Sequence, residues 1–162
     1  CVRVRVCVYV NKNIQKKKFF FIYYHKYIYI NNERMKCETN LSSGINKIKE
    51  TKKPGMVIIH KSTCSACISL KPKLLASKEI ERLSNFFIVI SLMDDFVPIE
   101  PKYNLDGKYY PRIIFLNTSG EIMKEIMNAN GGNKYKYYYS TEKNLINSME
   151  KVLKTCPQVD KT

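Results

Sequence analysis

Two cysteines with two residues between them, Cys64 and Cys67 in VIIHKSTCSACISLKPKLL, form the one closely spaced cysteine pair in the central part of the chain. Thiol–disulfide exchange needs one thiolate to attack a disulfide sulfur and a second thiol to resolve the mixed disulfide. A two-residue spacer on the first turn of a helix brings both sulfurs within bridging reach. It also leaves the first sulfur near unpaired backbone N–H groups at the positive end of the helix, which favours a thiolate. Lys61 adds positive potential nearby. The same pair can instead hold a metal or fill a core. Tetrahedral zinc needs four ligands, and the residues left over, His60, Cys37 and Cys156, show no second ligand-pair spacing. Cysteines also pack as small apolar groups. A strand-to-helix junction favours the redox reading over that one.

The elements around the pair follow from hydrophobic spacing. MVIIH, 56–60, is a short apolar run rich in β-branched residues, the pattern of a buried central strand. From Cys64 the pattern turns helical, with Cys67, Leu70, Leu74 and Leu75 on one face and Ile80 and Leu83 extending it; Pro72 should kink that helix. Upstream, Leu41, Ile45 and Ile48 predict a helix closed by Pro54 and Gly55. Downstream, FFIVISL at 86–92 predicts a second buried strand and 93–111 a long loop. RIIFL at 112–116 is a strand, NTSG a turn, and EIMKEI an alternating strand. NGGNKYKYYY reads as loop. Ser140 offers an N-cap to a last helix striped by Leu145, Ile146, Met149, Val152 and Leu153. This order predicts an α/β fold, a central mixed β-sheet with helices on both faces.

Two further positions could serve the site. His60, four residues before Cys64, has the chemistry of a catalytic base, although a histidine ending a central strand also serves as a packed core residue. Pro111 is either an ordinary loop proline opening a strand or a cis-proline. In the second case it would present the Tyr110 backbone to an extended substrate.

The chain has 162 residues and a formal net charge of +14, from 28 Lys/Arg and 14 Asp/Glu. Such a charge invites a nucleic-acid or membrane-surface reading, but half of the excess lies in residues 1–34, with eight Lys/Arg and one Glu. Those residues open CVRVRVCVYV, which a lightly altered thymine–guanine repeat would encode. They continue in residue types that A/T-only codons supply, His25 excepted. We expect 1–34 to be an extension foreign to the fold, 35–155 the domain, and 156–162 a tail. The rival reading of 1–34 is a targeting signal, with Lys16 to Lys18 as basic region and Phe19 to Ile30 as apolar region. His25 and Lys26 interrupt that run. No stretch of 18 apolar residues supports a spanning helix.

The strand-to-helix C-x-x-C, the helix proline Pro72 and the segments KKPGMVIIHKSTCSACISLKPKL, YYPRIIFLNTSGEI and NKYKYYYSTEKNLINSMEKV together resemble the thioredoxin superfamily. They look closest to its branch of small endoplasmic-reticulum oxidoreductases related to the anterior gradient proteins. The resemblance covers roughly 41–154. It implies a thioredoxin-like fold, with Cys64 as attacking thiolate, Cys67 as resolving thiol and Pro111 as a cis-proline facing them. It further implies redox work on protein thiols and disulfides during protein folding in the endoplasmic reticulum lumen, with glutathione as redox partner. The anterior gradient relatives lack the second cysteine, so Cys67 places the chain with the redox-competent branch. Three positions depart from the pattern. Thr63 stands where the family has an aromatic, Ser65-Ala66 replaces Gly-Ala, and Ile58 fills the place where many thioredoxins keep a buried acid. A proton acceptor for Cys67 must then come from elsewhere: Asp94, Asp95 or water. The ending CPQVDKT is not a K-D-E-L-type retention signal, and the alternative location is cytoplasmic.

The expectation is therefore a monomeric thiol-disulfide oxidoreductase needing no organic cofactor or metal, acting on protein disulfides away from nucleic acid and membrane. Its site residues are Cys64 and Cys67, with Tyr110 and Pro111 binding substrate and Lys61, His60 and Thr63 in support. A binding or chaperone-like module without redox turnover is the rival from another class. A stacking surface for single-stranded nucleic acid, built on KYKYYY at 134–139, is the third.

Overall fold

Gly55–His60 is buried at every position, so this strand needs neighbours along both edges and cover on both faces. The computed structural model, which describes residues 35–96 and 100–156, supplies them. Strands β1 (Cys37–Glu38), β2 (Gly55–His60), β3 (Ile88–Met93) and β4 (Arg112–Leu116) form one sheet in the order β1-β3-β2-β4. β3 runs parallel to both β1 and β2, while β4 is antiparallel to β2. The expected mixed α/β sheet is thus the observed one. The expectations for residues 1–34 and for 157–162 lie outside the described residues.

Alternation along the strands sorts the core into two layers. Met56, Ile58, Val89, Ile113 and Phe115 meet Leu70 and Leu74 of α2 (Ser65–Ala76), Ile80 and Leu83 of α3 (Lys78–Ser84), and Leu145, Met149 and Val152 of α4 (Glu142–Thr155). Val57, Ile59, Ile90, Leu92, Ile114 and Leu116 face the other way, onto Ile48 of α1 (Leu41–Thr51), Tyr103 and Tyr137.

Four details differ from the sequence-based expectation. The helix predicted from Cys64 onward is two helices, and the break falls at Ser77 rather than Pro72. Ser77 is extended (φ −78°, ψ 109°) and its hydroxyl accepts the Ile80 N–H at 3.1 Å, capping α3, while α2 runs unbroken through Pro72. That hydroxyl satisfies an N–H left unpaired in the first turn of α3, which fixes where the new helix begins. EIMKEI is not a full strand. Only Ile122 bridges Leu116, after which the chain turns to bury Met123 and Ile126. The last helix is capped by Thr141, not Ser140, through the Asn144 N–H at 3.4 Å. Strand β1, two residues long, carries too short a pattern to read.

α1 approaches β3 through a side chain that is missing. A Cβ on buried Gly44 would stand 2.3 Å from Ile90 Cδ1. We therefore expect Gly44→Val to destabilise the fold by roughly 1–3 kcal/mol through overpacking, more than any gain in helix propensity returns. Urea unfolding should show a lower midpoint at unchanged slope; an unchanged midpoint contradicts this packing.

Candidate functional site

The C-terminal ends of β2 and β3 and the start of antiparallel β4 lie at one end of the sheet, and the cysteine pair sits there. Cys64 is the N-cap of α2: its backbone is extended (φ −84°, ψ 116°) and its sulfur accepts the Cys67 N–H at 3.4 Å. Capping positions need a side-chain acceptor for the unpaired N–H groups of the first turn, and a sulfur bearing negative charge serves better than a neutral one. The two thiols differ in burial. Cys64 is partly exposed, whereas Cys67 is 7% exposed and its thiol is pushed up to about 12, by burial first and the Cys64 sulfur second. An accessible sulfur at the helix start beside a buried, protonated one is the arrangement of an attacking and a resolving thiol. No described cysteine is in a disulfide.

Across from the pair lies Tyr110–Pro111, a cis peptide bond. The Cys64 thiol donates to the Tyr110 carbonyl at 3.5 Å. Lys61 comes 4.9 Å from the centroid of the Tyr110 ring. The lysine is thus placed on an aromatic face next to the pair, where a cation–π contact orients it. Thr63 is exposed, and so is Ile68, at 60%, one residue after Cys67.

His60 is not at the surface. It is buried on the same sheet face as Ile58, and its Nε2 lies 2.9 Å from the hydroxyl of Ser91, the residue paired with Ile58 on β3. Burial, reinforced by the Lys71 charge, depresses its pKa to about 4, against an opposing pull from Asp94. The imidazole is therefore neutral at pH 7. Ile58 is itself 1% exposed, so the place of the buried acid is apolar. Of the acids considered for the Cys67 proton, Asp94 is committed elsewhere. Its carboxylate accepts the Ser62 N–H at 3.0 Å, which holds it below the usual carboxylate range and latches the loop before Cys64 to the end of β3. Asp95 is exposed.

The KYKYYY run is split: Tyr137 and Tyr139 are buried in opposite core layers, leaving Tyr135 exposed. Among the described residues no group of three or more His, Cys, Asp or Glu side chains could hold a metal ion. One buried residue at the site went unnoticed in the sequence. Arg112, next to Pro111, is a charge at the head of the otherwise apolar RIIFL, and that mismatch was the available signal.

A tight turn leading from a buried strand into a C-x-x-C helix start, across from a cis-proline at the head of an antiparallel strand, is the arrangement of a thioredoxin-like protein. The family profile described as Thioredoxin-like matches residues 36–118, and the chain belongs to that family. Among curated proteins it is similar to anterior gradient protein 2-B of Xenopus laevis, 29% identical over 110 residues, covering 68% of this chain and 66% of that protein. It is also similar to anterior gradient protein 3 of Mus musculus, 30% identical over 112 residues, covering 68% and 67%. The match thus spans about two thirds of those relatives' own length. Among solved structures, a disulphide isomerase from Xylella fastidiosa Temecula1 aligns with a TM-score of 0.48 at 16% identity, over 69% of this chain and 87% of that one.

The buried neutral histidine has a consequence for stability. Below pH 6.5 the unfolded chain binds a proton at this position that the folded chain refuses until about pH 4. Its contribution is thus fully present above 6.5 and lost as the pH falls toward 4. Relative to His60→Gln, which keeps a polar partner for Ser91, the wild-type chain should lose stability across that window, by at most roughly 3 kcal/mol. Urea titrations of both proteins at several pH values check this, and parallel pH profiles would contradict a buried neutral His60.

Proposed function

We propose that the chain is a thiol–disulfide oxidoreductase acting on protein disulfides through Cys64 and Cys67. The observation that carries this reading is the placement of the partly exposed Cys64 sulfur at the start of α2, 3.5 Å from the Tyr110 carbonyl. An extended peptide lying along Tyr110–Pro111 would bring its disulfide onto that sulfur.

In the reductive direction the Cys64 thiolate attacks one sulfur of the substrate disulfide. A Cys64–substrate disulfide forms, and the other substrate sulfur leaves as a thiolate and takes up a proton. Cys67 then gives up its proton and attacks the Cys64 sulfur. This closes a Cys64–Cys67 disulfide and expels the second substrate thiolate. Two electrons have passed to the substrate, and two equivalents of a thiol such as glutathione restore the dithiol while becoming a disulfide. The oxidative direction is the same sequence reversed. Sulfur supplies all the redox chemistry, so the cycle calls for no organic cofactor. We place this work on secretory proteins in the endoplasmic reticulum lumen; the resemblance to the endoplasmic-reticulum branch of the superfamily supports that placement.

The test is insulin reduction with glutathione as reductant. Cys64→Ser should lose essentially all turnover, and Cys67→Ser should accumulate mixed disulfides with substrate that gels without reductant resolve, because the resolving thiol is gone. Full activity in Cys64→Ser would sink the oxidoreductase reading. Failure of Cys67→Ser to trap any partner would favour a binding module without turnover.

A further inference from the structure

Arg112 is among the largest fully buried side chains, at 1% exposed, and it begins β4 immediately after Pro111, in register with Ile59 of β2. Its Nη1 donates to Asn104 Oδ1 at 2.8 Å and to the Gly107 carbonyl. The guanidinium carbon lies 5.8 Å from the centroid of the Tyr109 ring and 5.7 Å from that of Tyr110. Nε has no hydrogen-bond partner among the described residues. None of the ion pairs among those residues includes Arg112. Asp106, whose charge reaches it, gives its carboxylate to the Tyr109 hydroxyl at 2.8 Å and the Lys136 N–H at 2.6 Å.

A guanidinium buried without a carboxylate is a costly way to fill space, since an apolar side chain of similar volume avoids the desolvation. What the guanidinium does here, and an apolar filler cannot, is tie together separate points of the segment leading to Pro111: Asn104 and Gly107 through Nη1, and the two tyrosine rings through its planar cation. The Tyr110 ring is thereby approached by two cations, Lys61 beside the cysteines and Arg112 in the core. The backbone of that same residue receives the Cys64 thiol.

We propose that Arg112 is a positioning residue of the redox site, holding the Tyr109–Tyr110–Pro111 segment against Cys64 so that an extended substrate is presented in line with that sulfur. The proposal rests on the oxidoreductase reading. Arg112 touches neither sulfur and acts through Tyr110, so its removal should disturb substrate docking more than the intrinsic reactivity of Cys64.

The experiment compares wild type, Arg112→Met and Arg112→Lys on a fluorogenic peptide disulfide, and follows Cys64 alkylation by iodoacetamide and urea unfolding alongside. Arg112→Met should raise KM about fivefold or more with a smaller change in kcat, while iodoacetamide alkylation stays within about twofold because a small reagent needs no docking. Arg112→Lys keeps the charge but loses the planar group that lies beside both tyrosine rings, so its KM should fall between the two. If Arg112→Met does not fold, Asn104→Leu, which removes one acceptor and leaves the guanidinium, should raise KM in the same sense. A folded Arg112→Met, or a folded Asn104→Leu in its place, with wild-type KM overturns the proposal. So does a uniform loss of kcat, alkylation and stability, which would mark Arg112 as structural only. Wild-type turnover in the same assay separates the two readings. An inactive wild-type chain sinks the oxidoreductase reading itself, whereas an active one with an unmoved KM in Arg112→Met overturns only the role of Arg112.

Discussion

The rest of the site depends on one contact between chain segments 46 residues apart, the Cys64 thiol on the Tyr110 carbonyl. Neither side of it is held locally. Cys64 stands where it does because β2 ends at His60 and the following loop is pinned by Asp94, at the end of β3, through the Ser62 N–H. Tyr110 stands opposite because β4 runs antiparallel to β2 in a register that sets Arg112 against Ile59, one residue before the end of β2. The buried strand therefore aligns both halves of the site at once. A one-residue slip of β4 would move Tyr110 along the pair and turn Ile113 and Phe115 out of their core layer.

The same geometry separates two thiols that are chemically identical in sequence. One helical turn carries the chain from a capping position at the rim to a core-facing position beneath it. The first sulfur therefore faces water and unpaired N–H groups, while the second faces desolvation. The asymmetry in burial follows from where α2 begins, at the extended backbone of Cys64.

Most of the architecture was legible from spacing, because its large elements each carry an unambiguous period. The apolar runs of β2, β3 and β4 and the stripe of α4 could be read directly, and so could the cysteine junction. What could not be read was decided by contacts distant in sequence. Ser77 breaks the long helix because its hydroxyl caps α3 and also donates to Glu142 at the start of α4. EIMKEI alternates like a strand, yet Met123 and Ile126 are drawn into the layer under α4 by a turn, leaving Ile122 as a lone bridge. Tyr137 and Tyr139 fall in a stretch that reads as loop, and they are core. Arg112 was hidden for the opposite reason: a charge in a buried strand is legible as an anomaly, but its partners, Asn104 and the Tyr109 and Tyr110 rings, are a matter of folding.

The apolar Ile58 bears on where the Cys67 proton goes in the proposed cycle. Relatives with an acid at this place have a built-in acceptor beneath the resolving thiol, and here the same face offers Ile58, Ser91 and a neutral His60 held on that serine. A histidine depressed to about 4 is a weak base at pH 7, so it does not replace the acid. Part of what holds the Cys67 proton is nonetheless temporary. Burial is the larger cause and persists through the cycle, but the second cause is the Cys64 sulfur itself. In a mixed disulfide that sulfur carries neither proton nor charge, so its share of the penalty disappears when Cys67 has to attack. A departing substrate thiolate or a water at the rim can then take the proton. In the proposed cycle the resolving step therefore has no resident carboxylate beneath Cys67 to draw on, because β2 places the buried Ile58 there.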